Sequence, residues 1–142
     1  MTRQETEQYA LTVMCSGHNC AESVLRTAVE CLGIDSGGTP LRIATGFGGG
    51  VGRCKEELCG ALAGGLMSLG LALGRDIAGT SADAACNAAA EFRRRFIELF
   101  GSSRCCDLLQ AFGEQENWSA CKRLVADTAG LLHDLAEESL PR

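Results

Sequence analysis

The sequence has little of what a β-sheet requires. Runs in which apolar and polar residues alternate are absent, and strand-forming residues are thinly spread. Such alternation is the pattern of a half-buried strand, so its absence excludes a fold based on sheets. Linkers, repeats and low-complexity tails are absent as well. The 142 residues therefore indicate one domain, long enough to bury a hydrophobic core without disulfides.

Basic charge is also scarce. The net charge is −5, and the one basic cluster, Arg93 to Arg95, lies in an amphipathic pattern typical of a solvated helix face. Nucleic-acid binding requires a basic face, so we expect no nucleic-acid partner. The apolar run of residues 58–73 is a little short for a membrane span and contains four glycines. We therefore predict a buried central helix there and no insertion into a membrane.

The first ten residues, "MTRQETEQYA", lack the apolar segment of a secretory signal. We therefore expect a cytoplasmic protein, and structural disulfides are rare in that compartment. The chain nevertheless has nine cysteines, an odd number that cannot pair completely within one molecule. Abundant thiols in a reducing compartment indicate metal binding, catalysis or redox chemistry. The alternative is that cysteine serves as a small apolar residue in a tight helical core.

The residue pattern that is present is helical almost throughout. It predicts an all-α fold, a compact single-domain bundle of about six or seven helices around a central helix rich in glycine and alanine. The small residues of the central helix would let neighbouring helices approach closely. The predicted helices cover residues 4–15, 20–32, 40–46, 55–73, 81–100, 103–112 and 118–138.

Four of these helices carry a cysteine at or near the N-terminal end: Cys20, Cys59, Cys105 and Cys121. The first case is the clearest, because Asn19 and Glu22 form the pattern of a capping box around Cys20. For the central helix, two acidic residues in the first turn place Cys59 within one or two turns of its start. A helix N-terminus carries about half a positive charge, so we expect a lowered thiol pKa at these positions. Thiolates both attack disulfides and ligate metals.

The cysteine spacing excludes the familiar local motifs. No Cys-x-x-Cys is present, which excludes a thioredoxin-type motif, and the zinc-finger pairings fail as well. Two pairs, Cys15/Cys20 and Cys54/Cys59, are five residues apart, and on one helix such side chains point about 140° apart. A shared site must therefore be assembled by tertiary folding. Ligands far apart in sequence are compatible with an iron–sulfur cluster or zinc in a helical cage.

A glycine-rich segment, "GFGGGVGR" (residues 46–53, hereafter the glycine loop), precedes the central helix. It fits neither G-x-G-x-x-G nor the P-loop motif, so nucleotide binding is not favoured. We expect Gly48, Gly49 and Gly50 to approach the cysteine site and donate N–H groups to sulfur, with Arg53 adding positive charge. His18 is interpreted as a general base, a ligand or a loop residue with local hydrogen bonds.

Together, these segments resemble one known family, the four-cysteine C_GCAxxG_C_C group of redox-active proteins. The matching segments are "GHNCAESVL", "GFGGGVGR", "CGALAG", "FGSSRCCDLL" and "CKRLVADTAGLL", in that order over residues 16–135. The resemblance implies that the characteristic cysteines are Cys20, Cys59, Cys105 and Cys121. Of the five others, Cys31 and Cys86 are interpreted as core residues. Cys15, Cys54 and Cys106 adjoin the characteristic cysteines and would serve as resolving thiols or substitute ligands.

The resemblance implies a class of function and leaves the reaction open. One hypothesis is a redox protein, working either through an iron–sulfur or other metal centre or through thiol/disulfide exchange with an unidentified redox partner. A related domain in certain multihaem cytochromes favours the cluster, although this chain has no Cys-x-x-Cys-His for haem attachment. A second hypothesis is a module that binds, stores or senses zinc or a similar soft metal. The third is a helical interaction protein whose cysteines only pack. A homodimer is compatible with the odd cysteine count and the Gly/Ala-rich face.

Overall fold

A computed structural model describes residues 1–140, which form six α-helices and two short 3-10 helices. The α-helices are α1 (Arg3–Cys15), α2 (Cys20–Cys31), α3 (Gly60–Leu73), α4 (Asp83–Phe100), α5 (Cys105–Phe112) and α6 (Ser119–Ser139). The 3-10 helices are Leu41–Phe47 and Glu116–Trp118. Within residues 1–140 there is no β-strand, only an isolated bridge between Leu58 and Arg104. The prediction of a compact all-α fold is confirmed.

The start of α2 follows the sequence pattern. The Asn19 side chain accepts a hydrogen bond from the N–H of Glu22 at 2.9 Å, and the Glu22 carboxylate accepts one from the N–H of Asn19, also at 2.9 Å. This reciprocal pair is the predicted capping box. Cys20 is therefore the first residue of α2, as predicted.

The start of α3 differs from the prediction of a helix over residues 55–73. The helix begins at Gly60, and the acidic Glu56 and Glu57 lie in the preceding loop. Six residues of this loop have left-handed backbone angles, with φ between 59° and 71°: Gly49, Gly50, Val51, Gly52, Arg53 and Lys55. Left-handed backbone costs a non-glycine residue about 1–2 kcal/mol, and a β-branched residue such as Val51 rarely adopts it. The residue types of Val51, Arg53 and Lys55 therefore gave no sign of this conformation.

Helix α3 is the central helix, as predicted. It packs against α2, α4, α6 and the first 3-10 helix, and its first six residues are all buried. Glycine makes this packing close: a Cβ built on Gly64 would lie 2.5 Å from the carbonyl oxygen of Ala21 in α2. A Cβ on Gly65 would overlap the ring of Phe92 in α4. The glycines thus set the short distance between α3 and its neighbours.

Two basic residues of α4 are paired with an acidic one. Arg94 and Arg95 lie on α4 and form ion pairs with Glu91, at 2.7 Å and 2.8 Å, which fits a solvated helix face. In the part of the chain that the structure describes, no helix has the length and apolar character needed to cross a membrane.

Candidate functional site

Each of the four characteristic cysteines lies at the start of a different helix, as the sequence predicted. Cys20 is the first residue of α2 and Cys105 the first residue of α5. Cys59 occupies the N-cap position of α3, which places it earlier than the expected one to two turns into the helix. Cys121 is the third residue of α6. Four helix N-termini therefore present their cysteines from separate parts of the chain.

A short main-chain bridge joins the segments that carry Cys59 and Cys105. It pairs Leu58 with Arg104, the residues immediately before the two cysteines. The N–H of each cysteine donates to a carbonyl of the opposite segment, at 2.8 Å for Cys59 and 2.9 Å for Cys105. The Arg104 guanidinium also donates to the carbonyl of Glu56, at 3.1 Å and 3.0 Å. These bonds fix the register of the two cysteines relative to each other.

Cys20 reaches the same region from α2. Its sulfur lies directly against Gly60, the first residue of α3, so that a Cβ at Gly60 would overlap it. Gly60 follows Cys59 in the chain. The sequence Cys59–Gly60 thus supplies both a buried thiol and the space that the Cys20 sulfur occupies.

Cys121 is held by a side chain from outside its helix. Its N–H donates to Oε1 of Gln115 at 2.9 Å, and its sulfur accepts a hydrogen bond from Nε2 of the same residue at 3.2 Å. The N-cap of α6, Trp118, makes no capping hydrogen bond with its side chain. Gln115 therefore takes over the capping function and contacts the sulfur as well.

The four sulfurs are close enough to influence one another electrostatically. Negative charge on Cys20 raises the pKa of Cys59, of Cys105 and of Cys121. The pKa of Cys105 is raised to about 11, chiefly by burial, then by charge on Cys20, Cys121 and Cys106. Burial also raises the pKa of Cys121, against the hydrogen bond from Gln115. Cys20 and Cys105 are thus each within electrostatic range of the other three cysteines.

The direction of the shifts at Cys59, Cys105 and Cys121 corrects the expectation of a lowered thiol pKa at these three helix starts. Cys59 is 7% exposed, and burial raises its pKa to about 12, assisted by charge on Cys20 and Cys105. The N–H groups of Ala61 and Leu62 lower the pKa of Cys59 but are outweighed, and neither makes a capping hydrogen bond of normal geometry to the sulfur. Desolvation and mutual repulsion of sulfurs therefore exceed the effect of the helix N-terminus.

All nine cysteines are free thiols. Within residues 1–140, no three His, Cys, Asp or Glu side chains lie close enough together to hold one metal ion. Binding of a single ion would require the sulfurs of the site to move closer together.

The glycine loop runs along this site, as expected. A Cβ on Gly50 would lie 2.5 Å from the Cβ of Cys105, and one on Gly48 would lie 2.5 Å from the Asn19 amide that caps the Cys20 helix. The N–H of Gly48 donates to a main-chain carbonyl, and in the described residues the N–H groups of Gly48, Gly49 and Gly50 make no hydrogen bond to sulfur. A role for these N–H groups at a bound cofactor stays a prediction.

Lys55, which the sequence pattern did not single out, brings positive charge to the site. Lys55 lowers the pKa of Cys105, against the larger effects that raise it. The Lys55 amine also lies 5.9 Å from the ring centroid of Trp118, over the ring. Arg53 is exposed, and its N–H donates to the carbonyl of Gly48 at 3.1 Å. Its part in the site stays a prediction.

The five remaining cysteines lie in varied surroundings. The interpretation of Cys86 as a core residue is wrong, because it is exposed on α4, while Cys31 is half-buried at the end of α2. Cys15 and Cys54 are exposed and Cys106 is half-buried. The Cys54 thiol donates to the carbonyl of Gly50 at 3.0 Å, so it supports the glycine loop. Resolving or ligating roles for these thiols stay predictions.

Two site residues were not found from the sequence, Lys55 and Gln115. The sequence pattern predicts a helix at Lys55, whereas the structure gives this residue a left-handed backbone in the loop before α3. Gln115 lies six residues before Cys121, in a turn without any motif. His18 lies 4.0 Å from the Glu22 carboxylate, a local contact of the kind expected for a loop histidine.

We expect the metal-free protein to lose stability as the pH rises above about 9. An unfolded cysteine ionises at its ordinary pKa of 9.0, whereas folded Cys59 stays protonated up to about 12. Because the folded pKa is the higher one, the stabilisation is fully present below pH 9.0 and is lost between that value and about 12. The loss is about 1.4 kcal/mol per pH unit. Urea unfolding with reductant and chelator, at about pH 8 and about pH 10.5, should differ by about 2 kcal/mol from this one thiol.

The Cys59→Ala variant is the control for this prediction. It lacks the thiol but keeps every other titrating group, so its stability should fall less steeply over the same pH range. Equal slopes for the variant and the wild type would contradict the assignment to Cys59.

The fold and the site define an all-α protein in which four cysteines at helix starts face a common region. The chain belongs to the C_GCAxxG_C_C family: the model of this family, described as "Putative redox-active protein (C_GCAxxG_C_C)", matches residues 18–135. The resemblance drawn from the sequence motifs is thereby confirmed. Comparisons with curated proteins and with solved structures give no match.

Proposed function

We propose that this redox-active protein transfers electrons through a polynuclear metal–sulfur centre, such as an iron–sulfur cluster, held by Cys20, Cys59, Cys105 and Cys121. The observation that carries the proposal is that four helix starts bring their cysteines into one region, where Cys20 is within electrostatic range of the other three. Family membership supports the redox part, because the family is described as redox-active.

The donor set, four cysteine thiols at four helix starts, is of the kind that holds an iron–sulfur cluster. A zinc ion holds thiolates about 2.3 Å from itself, which draws the sulfurs close to one another. Within residues 1–140, no three donor side chains are grouped closely enough to hold one ion. Charge on Cys20 and on Cys121 nevertheless raises the pKa of Cys105. A cluster several atoms across requires wider spacing of its cysteine ligands than a single ion does.

When bound, such a centre would supply a reversible one-electron couple. The chain contributes the electrostatic environment. Four thiolates would place four negative charges in a partly buried site, and each helix N-terminus offsets about half a charge. The burial of Cys59 keeps water from that side of the site. Bound cations would also reverse the repulsion that raises the thiol pKa values in the metal-free protein.

A second candidate function is thiol/disulfide exchange, favoured by the nearness of the Cys20 sulfur to three other thiols. In that reaction two thiols of the site would lose two protons and two electrons and form one disulfide. A disulfide of a partner protein would accept them and become two thiols. The partner, a cytoplasmic location and a homodimer all stay predictions.

Anaerobic purification followed by an absorbance spectrum and by iron, sulfide and zinc analysis separates these functions. We expect visible bands with iron and sulfide, and we expect any single serine replacement among the four cysteines to remove most of both. Cys86→Ser is the matched control, because Cys86 is exposed on α4 and should be dispensable. Colourless metal-free protein with a reversible disulfide would favour thiol exchange. Stoichiometric zinc without iron would favour the soft-metal module and contradict electron transfer.

A further inference from the structure

Gln115 makes the one side-chain hydrogen bond to a characteristic sulfur in residues 1–140. The contact has two arms: Oε1 accepts the Cys121 N–H at 2.9 Å, and Nε2 lies 3.2 Å from the Cys121 sulfur. The main-chain N–H can only donate, so the amide atom facing it must be the oxygen. The amide nitrogen, a donor, is then the atom that faces sulfur.

The start of α6 lacks a capping side chain of its own, which leaves the Cys121 N–H available to Gln115. An N-cap side chain normally accepts a hydrogen bond from the third N–H of its helix, which in α6 belongs to Cys121. Trp118 stands at the N-cap, has a left-handed backbone with φ of 59°, and gives no such bond. Gln115 supplies the missing acceptor from outside the helix.

We propose that Gln115 is a positioning residue of the four-cysteine site, whose amide both fixes Cys121 at the start of α6 and donates a hydrogen bond that favours the more electron-rich state of its sulfur. The proposal rests on the proposed function for its redox consequence only. A donor to sulfur stabilises negative charge there, so it favours the reduced form of a sulfur-ligated centre.

Gln115→Glu separates the two arms of the contact. The carboxylate retains an acceptor for the Cys121 N–H, so the helix start keeps its cap. The N–H donor to sulfur is lost, and a negative charge takes its place. In protein reconstituted anaerobically with iron and sulfide, we expect the ratio of reduced to oxidised centre to fall about tenfold at a fixed potential. For a one-electron couple this is a shift of about 59 mV to lower potential.

Gln110→Glu is the matched control. Gln110 is exposed on α5, so the same change adds the same charge without touching a sulfur. Its effect on the potential should be much smaller. Equal shifts in both variants, or an unchanged potential in a fully loaded Gln115→Glu protein, would overturn the proposal while leaving the proposed function intact.

A second measurement does not depend on any bound centre. In nitrogen-15 NMR spectra of the reduced, metal-free protein, one side-chain amide proton of Gln115 should be shifted from those of the exposed Gln4, Gln8 and Gln110. Cys121→Ala should return it to their range. Gln115 signals that match the exposed glutamines in the wild type would overturn the hydrogen bond itself, whether or not the protein binds iron.

Discussion

Replacing Gly60 with alanine should disable the four-cysteine site. The new Cβ would overlap the Cys20 sulfur and would lie 3.0 Å from the carbonyl oxygen of Phe47 and 3.3 Å from the nitrogen of Ala21. Two of these three neighbours are main-chain atoms, so only the sulfur can give way. We expect the free energy of unfolding to fall by about 2 kcal/mol and the variant to retain little of any bound centre. Urea unfolding and iron analysis measure the two effects.

Gly70→Ala provides a control within the same helix. Gly70 is exposed in α3, and a Cβ there would have no atom within 4 Å. Alanine is the better helix former, so this variant should gain up to about 1 kcal/mol and, under the proposed function, bind a metal–sulfur centre as well as the wild type does. The same substitution thus has opposite effects at the two ends of α3. A Gly60→Ala protein as stable and as fully loaded as Gly70→Ala would refute the close contact at Cys20.

The second large effect is expected at Gly64→Ala. A Cβ at this position would lie 2.5 Å from the carbonyl oxygen of Ala21 and 3.1 Å from the Cβ of Val24. Neither atom belongs to a flexible side-chain end, so α2 would have to move away from α3 as a unit. Overpacking of this kind costs about 3 kcal/mol. Because α2 carries Cys20 and α3 follows Cys59, the movement should also separate these two sulfurs and reduce loading with iron.

The double variant Gly64→Ala with Ala21→Gly tests the origin of this loss. If the obstruction is the main-chain oxygen, removing the Ala21 methyl group should restore almost none of the stability lost, as measured by urea unfolding. Recovery of most of the loss would mean that α2 and α3 meet through side chains instead, which contradicts the packing described above.

Much of the site could be predicted from the sequence because the residue patterns that determine it are local. Asn19 and Glu22 are separated by one helical turn, and their capping box places Cys20 without any knowledge of the rest of the fold. The apolar, glycine-rich run that ends at Leu73 likewise indicated a buried helix. Residue type and spacing along a few positions decide such features.

The start of α3 could not be predicted from the sequence, and the reason is physical. Val51, Arg53 and Lys55 adopt left-handed backbone angles that their own residue types disfavour. The packing of Gly50 on Cys105 stabilises this conformation from outside the loop, and the hydrogen bond from the Cys54 thiol to the Gly50 carbonyl stabilises it from within. A local pattern of acidic and apolar residues therefore suggested a helix that tertiary contacts do not allow.

The prediction of lowered thiol pKa values at Cys59, Cys105 and Cys121 was wrong for a related reason. A helix start always favours a thiolate, and this could be predicted for each cysteine alone. The opposing effects, burial of Cys59 and repulsion from Cys20, exist only once four helices have come together. Gln115 was missed in the same way, since only the fold brings its amide to Cys121.

The bridge between Leu58 and Arg104 joins two segments that are synthesised at different times. Leu58 leaves the ribosome long before Arg104, and Cys121 follows later still. A nascent chain thus holds Cys20 and Cys59 without the partners that fix their positions. Domains generally fold as units, so we expect the four-cysteine site to assemble only after the segment that carries Cys121 has been synthesised. Under the proposed function, a metal–sulfur centre would be inserted only once all four helix starts are in place.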